Sequence, residues 1–295
     1  MEDLIKKPSI LKIYLVFTKF RLSFLVIISA LSGYLFAGGR DLKEITLLMI
    51  GGTLVTAASN GANQIWERDI DKKMTRTAKR PLPMGWMSKQ EAILICVFSL
   101  VLGEFLLYLI NLNSALLGLG AFFVYVFIYT PMKQKSAWAV FVGAIPGAVP
   151  PLLGAIAATN EFGFIPGILF FVQFTWQFPH FWAIAWVLHE DYQKAGFFLL
   201  PSSSSGKTKS SAFHIATYSL ALIPFSLAPW FYGLTGNITL IIGSLLGGGF
   251  FLLAYRLYHS CLDSDARKLM FASFVYLPII QFTYVFDKIE QLLIK

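Results

Sequence analysis

Charge is scarce in this sequence. Only 14% of its 295 residues are Asp, Glu, Lys or Arg, against about 25% in an average soluble domain. Hydrophobic residues make up 56%, and mean hydropathy is +0.65. A water-soluble core cannot hide that much apolar surface, which excludes an ordinary soluble enzyme. Cysteine is scarcer still. Cys96 lies in an apolar run and Cys261 in a basic loop, which speaks against a disulfide. The first 21 residues are polar and basic, without the apolar stretch and small-residue cleavage site of a signal peptide.

What is present is a series of apolar runs, each near the roughly 20 residues that a bilayer span requires. Nine are read, at 22–38, 45–66, 92–110, 114–130, 138–158, 164–188, 212–230, 238–255 and 269–286. They predict an all-α integral membrane protein, one polytopic domain over 1–295. Of the 24 Lys and Arg, twenty precede the first run or follow an even-numbered one. Positive loops stay inside, so the N-terminus is expected in the cytoplasm. The net charge of +8 then reflects topology and anionic lipid headgroups, and no nucleic-acid partner is expected. Most connections are short. Two are long, 67–91 and 189–211, the second with a flexible Ser-rich stretch at 202–209. Four runs separate them, which suggests a duplicated four-helix unit with a ninth helix appended.

The first long loop opens with Asn63-Gln-Ile-Trp-Glu67-Arg-Asp-Ile-Asp71 and runs on through Lys72, Arg76 and Arg80. If the preceding helix continues, Asn63, Glu67 and Asp71 share one face, about 6 Å apart along the axis. Three oxygen-bearing side chains in a row suit Mg²⁺, which prefers oxygen ligands and usually arrives with phosphates. Lys72, Arg76 and Arg80 are cations for those phosphates. A positive-inside loop with surface ion pairs accounts for the Lys and Arg, but less well for Asn63 and Glu67 at the end of a long apolar run, where polar groups are costly.

The second long loop follows Gln177-Phe-Pro-His180-Phe-Trp and carries His189-Glu190-Asp191-Tyr192-Gln-Lys194. Asp191 is a candidate for holding a second metal or orienting a basic partner, with Lys194 and Tyr192 near the phosphate. His180 is either a hydrogen-bonded structural residue among aromatics or a functional one. A smaller cluster, Tyr129-Thr-Pro-Met-Lys133, reads equally as an interface aromatic with a topology charge or as a phosphate contact.

Together these elements resemble the UbiA-type intramembrane prenyltransferases. The likeness is carried by 68–82, by Tyr129 to Lys133 with Pro146-Gly-Ala-Val-Pro-Pro-Leu-Leu-Gly154, and by His180-Phe-Trp through Asp191-Tyr to Leu200-Pro201. Within the family the match is closest to the branch acting on haem. The resemblance implies nine helices around a central cavity open to the cytoplasm, in the bacterial cytoplasmic membrane. It implies Mg²⁺-dependent transfer of a farnesyl group from farnesyl diphosphate to a vinyl group of haem B, giving haem O. A haem A synthase or terminal-oxidase assembly is implied as a partner. By the same resemblance Asn63, Glu67 and Asp71 hold the Mg²⁺–diphosphate, aided by Arg76, Arg80, Tyr129, Lys133 and Asp191, and His180 lies toward the haem. The sequence departs from the family pattern in two places: Glu67 stands where many members have Asp, and the second motif aligns one carboxylate, unless Glu190 serves. Two rival readings stand beside this one, a prenyltransferase acting on an aromatic quinone precursor and a secondary transporter with a midplane site.

Overall fold

A computed structural model of the chain describes residues 7–201 and 206–289. Lys6, Lys295, the 202–205 part of the Ser-rich stretch and the side chain of Arg21 lie outside the described residues. The described chain is helical: α1 (Ile10–Phe17), α2 (Phe20–Phe36), α3 (Leu42–Trp66), α4 (Arg68–Asp71), α5 (Lys89–Tyr108), α6 (Leu112–Phe123), a π-helical stretch (Val124–Tyr129), α7 (Thr130–Met132), α8 (Ala139–Thr159), α9 (Phe164–Val187), α10 (His189–Lys194), α11 (Lys209–Phe231), α12 (Asn237–Ser260) and α13 (Asp263–Phe286). The only pairing of extended backbone among the described residues is an isolated bridge between Thr235 and Lys288.

Every apolar run read from the sequence falls on a helix. Seven helical stretches are long and apolar enough to cross a membrane, or eight if α1 and α2, bent by 54° at their junction, form one broken span. The 24-residue α9 is outside that set, because Gln173, Gln177 and His180 dilute its apolar run. Helices also begin a few residues earlier than the apolar runs, since polar first turns are held by caps. The Asp41 carboxylate accepts from Lys43 N–H at 2.7 Å. Ser88 accepts from Glu91 N–H at 3.1 Å in a Ser-x-x-Glu box. Asn111 accepts from Ser114 N–H at 2.8 Å.

The bundle is built around α8, whose apolar window is 67% buried, against 17% for the stretch Leu112–Met132. Small residues let α8 meet α2 backbone to backbone: a β-carbon at Gly33 or Gly154 would overlap the carbonyl oxygens of Pro151 and Ala30. Proline inside α8 removes helical donors, and polar side chains of α9 take their place. Pro151 has no N–H for the carbonyl of Gly147, and Gln173 Nε2 donates to that oxygen at 2.7 Å. Gln173 Oε1 in turn accepts from Ser29 at 2.6 Å and Gln281 at 2.8 Å, joining α2, α8, α9 and α13 through one buried polar knot. Such satisfaction is what irregular backbone inside a membrane requires.

Candidate functional site

Asn63 stands in the last turn of α3, Glu67 at its C-cap and Asp71 at the end of α4. Glu67 leaves helical geometry (φ −88°, ψ 6°), yet Glu67 N–H still donates to the Asn63 carbonyl at 2.9 Å and Asp71 N–H to the Glu67 carbonyl at 2.7 Å. The i, i+4 rhythm therefore survives the bend, and all three side chains are buried. Beyond Asp71 the chain coils through a run of tight turns, clasped by Thr77 Oγ1 donating to the Asp71 carbonyl at 2.8 Å. That coil turns Arg80 back, so that one guanidinium nitrogen contacts both Asp71 carboxylate oxygens, at 2.7 and 2.9 Å.

The second cation, Lys133, stands at the C-cap of α7, just after the π-helical stretch. Lys133 Nζ lies 2.7 Å from Glu67 Oε1, with both side chains under 10% exposed. It also sits 4.6 Å from the Tyr129 ring centre, and the Tyr129 ring packs on Tyr125 at 5.3 Å. Thr130 Oγ1 donates to the Tyr125 carbonyl at 2.8 Å and accepts from Asn63 Nδ2 at 3.3 Å. A π-helical stretch inside a span is a common mark of a functional site. Here it ends at Tyr129, whose ring lies against Lys133 one turn further on.

Electrostatics separate the two carboxylates. Burial works against ionisation of Glu67, but Lys133 outweighs it and holds the carboxyl below its ordinary range. Burial pushes the Asp71 carboxyl up, against the pull of Arg80. Both are thus poised by a charge partner in a largely dry pocket, where single charges interact far more strongly than in water.

The second loop meets the first through Asp191. Burial would raise its carboxyl, but the backbone N–H groups of Arg76 and Thr75, at 3.2 and 3.3 Å, hold it below the ordinary range. Met74, Ala195 and Phe197 pack into a small apolar cluster beneath that clasp, and Gln134 Nε2 donates to the Ala195 carbonyl at 2.8 Å.

The remaining predicted residues divide clearly. Lys72 is exposed and paired with Asp69 at 2.8 Å, away from the row. The Arg76 side chain is exposed, so that residue touches the clasp through its backbone. Lys194 is exposed and reaches Asp191 at 3.4 Å. His180 lies within α9, stacked on Trp176 at 4.3 Å, with Nδ1 2.6 Å from Ser273 Oγ on α13. Among the described residues, no three Asp, Glu, His or Cys side chains converge as a metal cluster. The oxygen donors that do converge are Asn63, Glu67 and Asp71.

Two residues of the site are not singled out by the sequence. Thr130 looks like one small polar residue before a proline. Lys19 is counted there with the topology charges, but its Nζ approaches Asn63 Oδ1 at 3.5 Å. Its backbone takes the left-handed conformation (φ 50°) at the α1–α2 junction, which is uncommon outside glycine and often found at functional sites.

Comparison with known proteins gives the family and the fold. A profile described as the UbiA prenyltransferase family matches residues 26–276. A protoheme IX farnesyltransferase of Cytophaga hutchinsonii is 46% identical over 279 residues, covering 94% of this chain and 97% of that protein. A digeranylgeranylglyceryl phosphate synthase structure superposes with a TM-score of 0.77 at 19% identity, covering 94% of this chain and 98% of the other. A UbiA homolog from Archaeoglobus fulgidus bound to DMAPP and Mg²⁺ superposes with a TM-score of 0.66 at 20% identity, covering 92% and 98%.

Proposed function

Because the chain belongs to the UbiA prenyltransferase family, we propose that it is a haem O synthase, transferring a farnesyl group from farnesyl diphosphate to a vinyl group of haem B. The observation that carries the reading is the convergence of Asn63, Glu67 and Asp71 with Arg80, Lys133 and Lys19 at one buried end of the bundle. The acceptor is supported by the protoheme IX farnesyltransferases that resemble the chain over almost its full length.

The residues fit a magnesium ion arriving with its diphosphate. Asn63 Oδ1, Glu67 and Asp71 are an all-oxygen donor set, and each carboxylate faces a cation suited to phosphate. Bound there, Mg²⁺ would neutralise charge on the departing diphosphate. On substrate entry Lys133 and Arg80 exchange a carboxylate partner for phosphate oxygens, so neither buried cation is left uncompensated. Tyr129 fixes Lys133 from below through its ring face. Asp191 fastens the coil carrying Arg80 to the second loop, which makes it a positioning residue. Closing the site to water protects the allylic cation formed as the carbon–oxygen bond breaks. The terminal vinyl carbon bonds to farnesyl C1, water adds to the neighbouring carbon, and a proton is released. With Nδ1 engaged by Ser273, Nε2 of His180 is the nitrogen left to face the porphyrin.

The same reading places the basic end in the cytoplasm by the positive-inside rule, with nine spans in a bacterial cytoplasmic membrane. Haem O then passes to a haem A synthase or terminal-oxidase assembly. A transporter would concentrate its ionisable groups near the midplane, whereas here they gather at one end. Purified protein given Mg²⁺, farnesyl diphosphate and haem B should yield a haem heavier by the farnesyl group plus water, read by mass spectrometry. Prenylation of an aromatic acid with none of haem would move the assignment to the quinone-precursor enzyme.

A further inference from the structure

The short helix α1 lies outside the site just described. Its inner side is anchored: Tyr14 donates to Glu91 Oε1 at 2.7 Å, and Gln64 Nε2 donates to the Phe17 carbonyl. Its outer side is apolar and bare, with Ile10 70%, Leu11 69% and Val16 42% exposed. Between α1 and the loop at 79–86 runs a groove of about 270 Å³. Ile13, Val16 and Trp86 form its apolar walls, and Lys12 and Lys79 also line it. Both lysines are exposed, and among the described residues neither has a carboxylate within ion-pair distance.

Two unpaired lysines and an apolar wall in one groove fit an amphiphile with an anionic head. Tryptophan at such a boundary is typical of the lipid headgroup level, and basic residues there attract anionic lipid. A free phosphate has no use for the apolar wall, and a neutral lipid has none for the lysines. We propose that this groove is a binding site for an anionic phospholipid, its phosphate between Lys12 and Lys79 and its acyl chain along Val16 and Trp86. Lys79 directly precedes Arg80, so the bound headgroup braces the start of the segment that carries the Asp71 partner. The lipid thereby fastens α1 to the site's coil from outside.

The test uses bilayer nanodiscs of the full chain with brominated phosphatidylglycerol or brominated phosphatidylcholine as quenchers. The chain has seven tryptophans, so the Trp86 share is the difference between the parent and Trp86→Phe. Brominated phosphatidylglycerol should quench that share at much lower mole fraction than brominated phosphatidylcholine. At the usual attraction per surface lysine, K12Q/K79Q should weaken the anionic preference roughly 30-fold, while K12R/K79R keeps it. Protection of the buried Cys96 thiol reports that each variant is folded, and the single substitutions serve if the double one is not. Equal quenching by both lipids in the parent, or an unchanged preference in K12Q/K79Q, overturns the proposal. So does displacement of the brominated lipid by farnesyl diphosphate, which would give the groove to the prenyl substrate. Each readout is binding alone, so it stands or falls separately from the farnesyl transfer proposed above.

Discussion

Replacing Lys133 by methionine isolates the interaction that makes this site unlike a surface loop. Lys133 and Glu67 meet at 2.7 Å with side chains 9% and 5% exposed. Removing one partner leaves the other as an uncompensated buried charge, which typically costs about 3–5 kcal/mol. Lys72 and Asp69 meet at a similar 2.8 Å, but at 48% and 83% exposure, where a pair is worth about 0–1 kcal/mol. Equal distances thus predict unequal losses, with burial deciding between them. Thermal unfolding in detergent is the assay, followed in a Cys261→Ser background by a maleimide dye on Cys96, which is buried in the folded chain. Lys133→Met should lower the midpoint far more than Lys72→Ala. Adding Glu67→Gln to Lys133→Met should recover much of the loss, because the orphaned carboxylate is gone. Additive losses in that double variant, or a Lys133→Met midpoint no lower than that of Lys72→Ala, would refute the buried-pair argument.

Asp71→Asn keeps the volume and one oxygen but removes the carboxylate that Arg80 meets, so it too should lower the unfolding midpoint, and turnover per folded chain, counted by dye protection of Cys96, should fall by on the order of 100-fold or more; full activity per folded chain would falsify the Mg²⁺–diphosphate row. Asp191→Ala deletes the acceptor for the Thr75 and Arg76 N–H groups together with the exposed contact to Lys194, so KM for farnesyl diphosphate should rise several-fold with kcat less affected, and loop 67–88 should become more open to protease. Burial raises the Asp71 carboxyl in the folded chain. Protonation there would compete with the metal binding proposed above, so kcat/KM should fall as pH drops through a value above the ordinary carboxylate range; a fall confined to more acidic pH would mean that Arg80 wins over burial. For Asp191 the shift is downward. Its contribution to stability is then present above its unfolded value and lost only as pH falls through the lower folded one, so the loop clasp, read by proteolysis, should outlast activity on acidification.

Much of the helix pattern was legible because a bilayer imposes one length scale and one polarity on every span. Helix starts were less so: Lys89 and Asp263 open helices that their polarity would assign to loops, because N-terminal N–H groups found caps or acids there. The row of Asn63, Glu67 and Asp71 was legible for the same reason as the spans, since i, i+4, i+8 is a property of one helix. What a single helix cannot reveal is which of several like cations closes onto it. Lys72, Arg76 and Arg80 look equivalent in sequence, and Lys72 is the immediate neighbour of Asp71, yet only Arg80 reaches the carboxylate. A helical neighbour at i+1 points about 100° away, whereas a coil of turns nine residues long can return. Lys133 and Lys19 come from still further off, 66 and 44 residues from the groups that they meet.

That difference in origin bears on how the site works. The oxygen donors ride on one helix and its bent continuation, while each cation rides on a separate element: a turn ladder, the C-cap of α7 and a broken helix junction. Donors that hold a metal need fixed mutual spacing. In the reaction proposed above, cations that release a carboxylate and take a phosphate need independent freedom to shift. Asp191 reinforces the division, because it grips the turn ladder by its backbone and leaves the Arg76 side chain exposed. A substitution that rigidifies the ladder without touching Arg80, such as Gly85→Ala at a φ of +68° with open space around it, should therefore strain only the turn. Asp71→Asn, by contrast, should remove catalysis even from the chains that remain folded. Comparing the two separates the rigid half of the site from the mobile one.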